Sequence, residues 1–324
     1  MDLNHGALEI FACVVMISSS VVGNTLLIFC TWRCINEHLR TSFTLIFSLA
    51  FVHLVNNLVV NILKTVYAFG VWLEPVGCKV IVFTTTCTTT LAIWFTLYLA
   101  LLYCLKLCRV VHPPAEAASR NLRKYHLSLL FALWFAGIAI CSPLLLYVQK
   151  TGQLNLKNET YQEFSSLIYA ECKTEYKNDK IEIFYGKIFL VAVDVLPLLI
   201  MLLVGFRIAH LVWQHKKTTY GGIWIGNDAT ETEVLRACKY ILLLILLITS
   251  LWISYFTLMY CLKNFKYYYF APSVLTVLSS GYSAVSPYLL MLINYKVQMR
   301  CFCCKDEKIP VSLSASSPFV SPYA

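Results

Sequence analysis

The chain has 324 residues, of which 59% are hydrophobic and only 13% charged, whereas soluble proteins carry roughly 25% charged residues. With 14% aromatic residues and a mean hydropathy of +0.68, a water-soluble fold is disfavoured and a single polytopic membrane domain is selected over two soluble ones. The net charge of +9 argues for nucleic acid only if its location does.

About 20 apolar residues cross a bilayer core. Runs of that length with few charges lie at 8–32, 43–63, 80–105, 126–148, 183–206, 240–262 and 271–293. Strand-like alternation is absent and every backbone amide in such a run must be satisfied internally, so each is expected to be a helix. The fold class is then an all-α membrane protein, a seven-transmembrane helix bundle. It occupies residues 1–300, followed by a disordered tail at 301–324 rich in Ser, Pro and Val. Nothing basic precedes the first run, which reads as a helix rather than a cleaved leader.

Orientation follows from Lys and Arg. With the N-terminus outside and the C-terminus cytoplasmic, sixteen of the 26 basic residues face inward against seven acidic ones, as the positive-inside rule requires. The excess charge therefore points to membrane lipid and not to nucleic acid. Asn158-Glu159-Thr160 is a glycosylation acceptor in the long loop between the fourth and fifth spans, outside in this topology. Cys78 at the outer mouth of the third span and Cys172 in that loop are the two cysteines well clear of the membrane on the oxidising side. A disulfide between them would tether the loop, the alternative being two free thiols. Most of the other cysteines sit in apolar runs and act as small hydrophobes.

Catalysis lacks its parts: the spans hold one Asp, Asp194, one deep His, His53, and no His-Glu-x-x-His. The last span has no lysine for a Schiff base. Repeat symmetry, broken helices and charged rings are absent. No enzyme, cofactor or metal is expected. What remains is a bundle that binds a small organic ligand without transforming it.

Its polar groups are patterned. His53, Asn57 and Asn61 recur every four residues and share one face of the second span, which must look into the bundle. On the third span, Thr84 and Thr88 share a face within a run of threonines, where ligand contact competes with bonding to their own helix. Asp194 is the sharpest residue; it holds a ligand cation, pairs with Lys187, or is protonated. Tyr255, Thr257, Thr276 and Ser280 add hydroxyls and an aromatic ring from the outer halves of the last two spans, a mixture that suits a largely apolar organic ligand. At the inner face, Arg109, Arg207, Arg236, Lys239 and Lys296 would line a cavity opened by movement of the sixth span, or anchor the helices to anionic lipid. Cys301, Cys303 and Cys304 lie just past the last span beside Arg300 and Lys305, where acylation competes with unmodified thiols.

This architecture resembles a G-protein-coupled receptor. Leu49-Ala50-Phe51-Val52-His53 and Gly281-Tyr282-Ser283-Ala284-Val285-Ser286-Pro287 look like the corresponding stretches of vomeronasal type-1 receptors, whose fish members are called olfactory receptors related to class A. Ile93-Trp94-Phe95 and Tyr103-Cys104-Leu105-Lys106 also resemble bitter taste receptors, a related group. An acidic-Arg-aromatic triplet is missing at the inner end of the third span, where Cys108-Arg109-Val110 stands, and the usual Asn-Pro turn is Ser286-Pro287. The resemblance implies detection of pheromones or odorants in the plasma membrane of chemosensory neurons, with signalling through an inhibitory-class heterotrimeric G protein.

Overall fold

The computed structural model describes residues 3–33, 40–68, 75–111, 122–150, 172–174, 176, 178–220, 229–264 and 271–293. All seven expected spans are helical. The first is Leu3–Arg33, the third Pro75–Val111, the sixth Ala229–Asn264 and the seventh Ala271–Ile293. The second consists of Arg40–Val55 and Asn61–Ala68 joined by a π-helical segment, Asn56–Val60. The fourth, Leu122–Cys141, breaks at Ser142-Pro143 and resumes as the short helix Leu144–Tyr147. The fifth enters through Asp179–Ile181 and a π-helical segment, Glu182–Phe189, before Leu190–Tyr220. Six of these helices are long and apolar enough to cross a membrane, and Val277–Ile293 is a shorter apolar helix.

Several helices outrun the expected spans. The third has 37 residues, or about 55 Å at 1.5 Å per residue, against a hydrocarbon core of about 30 Å. Helical hydrogen bonding needs no apolar side chains, so it continues beyond the lipid. Pro75 suits the first helical position because its missing N–H is not needed there.

Burial differs between spans. Within their most apolar stretches the second and third are 61% buried and the fourth and fifth only 22%, which makes the third the axis of the bundle. It touches the second, fourth, fifth and sixth, while the first packs on the second and seventh. Leu91, Ile93, Phe95, Leu99 and Leu107 of the third span join Leu45, Ile46, Leu49, Met201, Ile208, Leu244 and Ile248 in one apolar core. Two glycines permit close helix contacts. A Cβ at Gly23 would lie 2.7 Å from Pro287 Cγ, and one at Gly137 would lie 2.6 Å from Leu91 Cδ2.

At the end where the third span begins, Val148–Lys150 (β1) pairs antiparallel with Cys172–Thr174 (β2), Lys150 facing Cys172. Cys172 is disulfide-bonded to Cys78, with Cα atoms 5.2 Å apart. Cys78 is fully packed, so the hairpin is pinned to the axial helix. Asn158, Lys296, Cys301, Cys303, Cys304, the glycine-rich stretch 221–226 and the tail from 301 lie outside the described residues.

The bond spans 94 residues of sequence, and closing a loop that long is worth up to about 4.7 kcal/mol in the chain-entropy account. Cys172→Ser is therefore expected to lower the melting temperature of the purified protein and its yield at the cell surface. Cys238→Ser, which alters a buried free thiol, serves as control in both measurements and should change them less.

Candidate functional site

The polar face of the second span meets the seventh. His53 Nδ1 lies 2.9 Å from Ser286 Oγ, Asn57 Nδ2 donates to Ser283 Oγ at 2.5 Å, and Ser280 Oγ donates to Asn61 Oδ1 at 3.0 Å. Along the span, Asn61 Nδ2 donates to Asn57 Oδ1 at 2.8 Å. Asn56 also faces inward, donating to Ser283 Oγ at 3.3 Å and accepting from Thr88 Oγ1 at 3.1 Å. Asn56 and Asn57, the first two residues of the π-helical segment, thus both reach the same serine. No sequence signal beyond the Asn-Asn pair marks Asn56.

This network absorbs several candidate residues. Thr84 and Thr88 are buried, and Thr88 Oγ1 stands 2.6 Å from Thr84 O as well as near Asn56, two acceptors for its single proton. Ser280 is buried beside the second span. Of these, Thr88 and Ser280 place their hydroxyls on asparagines of the second span.

Asp194 is elsewhere. It is half-buried on the fifth span, where its Oδ1 accepts a 2.8 Å bond from Thr90 Oγ1. Thr90 lies two residues past Thr88, hence on another helix face, and only its place in the threonine run hinted at it. The side chain of Lys187 lies outside the described residues. One residue before Asp194, Val193 O accepts from Trp94 Nε1 at 3.1 Å. The reason is Pro197: its ring removes the N–H that would have bonded the carbonyl four residues earlier. Pro287 does the same to Ser283 O, which accepts instead from Asn24 Nδ2 of the first span at 3.3 Å.

On the sixth span, Tyr255 is half-buried with its ring 5.4 Å from that of Trp252, in an edge-on arrangement. Thr257 is exposed and its hydroxyl bonds back to Ile253 O at 2.7 Å. Thr276 is helical but its side chain is not among those described. Lys64, one turn on from Asn61, is buried at 3% exposure, a cation in the second span that the sequence reading passes over.

A cavity of about 20 Å³ lies between the second, third, sixth and seventh spans, bounded by His53, Asn56, Thr88, Trp252, Tyr282 and Ser283 among others. Organic ligands need cavities of about 300 Å³ or more, so this one is far too small for them. Tyr282 closes one side, its hydroxyl 2.5 Å from Thr96 Oγ1 and its ring 5.2 Å from that of His53. At the opposite end of the bundle Arg109, Arg207, Arg236 and Lys239 are exposed. There Lys106 Nζ donates to Ser42 Oγ at 3.0 Å and sits 4.7 Å over the Tyr103 ring, while Tyr98 and His126 hydrogen-bond between the third and fourth spans. Among the described residues no group of three His, Cys, Asp or Glu side chains is placed to hold a metal.

The family described as 7 transmembrane receptor (rhodopsin family) matches residues 23–290. No curated protein matches the chain.

Removing the donor to a proline-freed carbonyl isolates its role. Trp94→Phe keeps the ring bulk and deletes the N–H, leaving Val193 O without it at a cost of about 1–3 kcal/mol. The expected result is a lower melting temperature for the purified protein, measured by thermal unfolding. A melting temperature equal to that of the parent would mean that the carbonyl is satisfied in another way.

Proposed function

From the premise that this chain belongs to the rhodopsin family of seven-transmembrane receptors, membrane proteins that bind ligands and signal through G proteins, we propose that it is a chemosensory receptor of the vomeronasal type-1 kind. The observation that carries the reading is that its two resembling stretches meet: His53 ends one, Ser286 lies in the other, and they are hydrogen-bonded. A shared motif whose members touch across two helices reflects one packing solution. In this reading the N-terminus is outside, the basic end is cytoplasmic, and the receptor resides in the plasma membrane of chemosensory neurons. Asn158 carries glycan, and Cys301, Cys303 and Cys304 carry acyl chains.

The ligand is a small organic pheromone or odorant, bound in the outer part of the bundle. Thr84, Thr88, Asp194, Tyr255, Thr257, Thr276 and Ser280 are the proposed contacts. Asp194 is the first choice among them, because it lies at the seam of the third and fifth spans and Thr90 engages one of its oxygens. The hydroxyls of Thr88 and Ser280 become available only if the second span's asparagines release them. An inhibitory-class heterotrimeric G protein engages Arg109, Arg207, Arg236, Lys239 and Lys296.

The related reading is a bitter taste receptor. It is favoured by Trp94, which belongs to the Ile93-Trp94-Phe95 stretch and bonds the fifth span. Expression in taste tissue rather than in vomeronasal or olfactory neurons would select it.

A panel of small organic acids, steroids and amines on expressing cells, read as nucleotide exchange on an inhibitory-class G protein, tests the assignment. With an amine and a neutral agonist in hand, Asp194→Asn should weaken the amine roughly tenfold or more, the equivalent of about 1.4 kcal/mol for a lost charge-assisted bond, and spare the neutral compound. Equal loss of both removes Asp194 from the site. At the inner face, Arg236→Glu should reduce agonist-driven exchange in correctly inserted protein without changing ligand affinity measured in the absence of G protein. Unchanged exchange would restrict Arg236 to contact with lipid.

A further inference from the structure

Cys87 interrupts the threonine run of the third span, and Cys141 ends the fourth-span helix Leu122–Cys141. Both are free thiols in the apolar core, 6% and 0% exposed. The two helices run antiparallel, since the third begins and the fourth ends at the disulfide-linked hairpin. They approach closely where Gly137 meets Leu91, because a Cβ on that glycine would lie 2.6 Å from Leu91 Cδ2. Cys141 comes four residues after Gly137 and Cys87 four before Leu91, so the same register sets the two cysteines opposite each other one turn nearer the hairpin. Their thiols are in hydrogen-bonding contact.

The contact extends further. Cys141 is also in hydrogen-bonding contact with Thr90, whose Oγ1 donates to Asp194 Oδ1 at 2.8 Å. A hydroxyl and a thiol each have one proton to give. With the Thr90 proton directed to an ionised Asp194, Cys141 donates to Thr90 and Cys87 donates to Cys141. The four side chains then form one chain that ends on a carboxylate. Apolar burial ordinarily leaves a thiol inert, because the thiolate is the reactive form. Here a base stands one hydroxyl away from the first thiol, and a second thiol stands ready to resolve the first once it is oxidised.

We propose that Cys87 and Cys141 are an oxidation site that takes hydrogen peroxide, a small uncharged oxidant, and closes a disulfide between the third and fourth spans. The Cys141 proton passes through Thr90 to Asp194, and the thiolate attacks one peroxide oxygen. The S–O bond forms, the O–O bond breaks, and the departing hydroxide takes up the proton held by Asp194 and leaves as water. Cys87 then attacks the sulfur of the sulfenic acid: the S–S bond forms, the S–O bond breaks, and the released hydroxide leaves as water with the Cys87 proton. Two thiols lose two electrons and the peroxide gains them. The new bond fastens the fourth span, only 22% buried in its most apolar stretch, to the axial helix beside Asp194. The site does not depend on the chemosensory reading.

The full-length protein in lipid nanodiscs is treated with hydrogen peroxide, its remaining thiols are alkylated, and it is digested without reduction for mass spectrometry. A peptide pair joined through Cys87 and Cys141 should accumulate with peroxide dose. Both cysteines recovered alkylated at every dose, or either one joined to a different cysteine, overturns the proposal. In Cys87→Ser the first step has no resolving thiol, so dimedone should trap a sulfenic acid at Cys141; no adduct there overturns the assigned order of attack. Should that variant fail to fold, the linkage in the parent protein decides alone. Asp194→Asn should slow linkage roughly tenfold or more, because the attacking species is the thiolate, and should leave the final extent at long exposure equal to that of the parent. A lowered final extent would show that Asp194 only holds the thiols in place, and an unchanged rate would remove it from the proton path.

Discussion

Inside a hydrocarbon layer a backbone carbonyl has no water to turn to, so each one that a proline releases must be met by the protein itself. Two spans carry a proline inside an unbroken helix, Pro197 and Pro287. Both solve it by borrowing a donor from another helix: Trp94 serves Val193 O and Asn24 serves Ser283 O. These bonds fix the fifth span to the third and the seventh to the first at the points where their own ladders are weakest. The prolines are thus the places where the bundle is tied together. Gly23, next to Asn24, makes the second tie possible, since a side chain at that position would collide with the Pro287 ring.

The polar interior divides into two parts of different character. Asn24, Asn56, Asn57, Asn61, Thr88, Ser280, Ser283 and Ser286 are neutral, buried and directional. Their bonds depend on geometry rather than on ionisation, and together they join the first, second, third and seventh spans into one block. Asp194 sits outside that block, at the seam between the third and fifth spans, with Thr90 on one oxygen. A carboxylate in such a place is retained at a cost that a well-packed residue would not incur. Recognition of a ligand is easier to place at the seam than in the block, because hydroxyls already committed to amides must be released before they can bind anything else.

Much of this was legible in the residues. The seven helices followed from run length and scarcity of charge, and the inward face of His53, Asn57 and Asn61 from their spacing. The pairing of Cys78 with Cys172 followed from their position outside the lipid. Other features depend on tertiary geometry that periodicity does not encode. The π-helical turn at Asn56–Val60 changes the angular position of every later residue in the second span, and Asn56, at its start, reaches Ser283 and Thr88 although the four-residue spacing does not include it. Thr90 rather than Thr84 or Thr88 meets Asp194 because the relative rotation of the third and fifth spans selects one face of a run in which all faces carry threonine. Trp94 was readable as part of a stretch, but its partner required knowing which carbonyl lay opposite.

The size of the internal cavity constrains how a ligand could be felt at the other end of the bundle. At about 20 Å³ it cannot admit an organic molecule, so a ligand bound nearer the disulfide-linked end must act on it through side chains. Trp252 is the side chain with the required contacts: its ring lies 5.4 Å from Tyr255, a proposed ligand contact, and it also borders the cavity. Displacement of Tyr255 therefore bears on Trp252, and through it on the surroundings of His53. Ligand binding changes the balance of states only if the two states bind it differently. In the proposed reading the Trp252–Tyr255 pair, 5.4 Å apart, is where such a difference would arise, since packed side chains move between discrete arrangements rather than deforming gradually. The sixth span, which carries both rings, extends to Arg236 and Lys239 at the opposite end, so the proposed reading would route a change at Trp252 along that helix to its exposed basic residues.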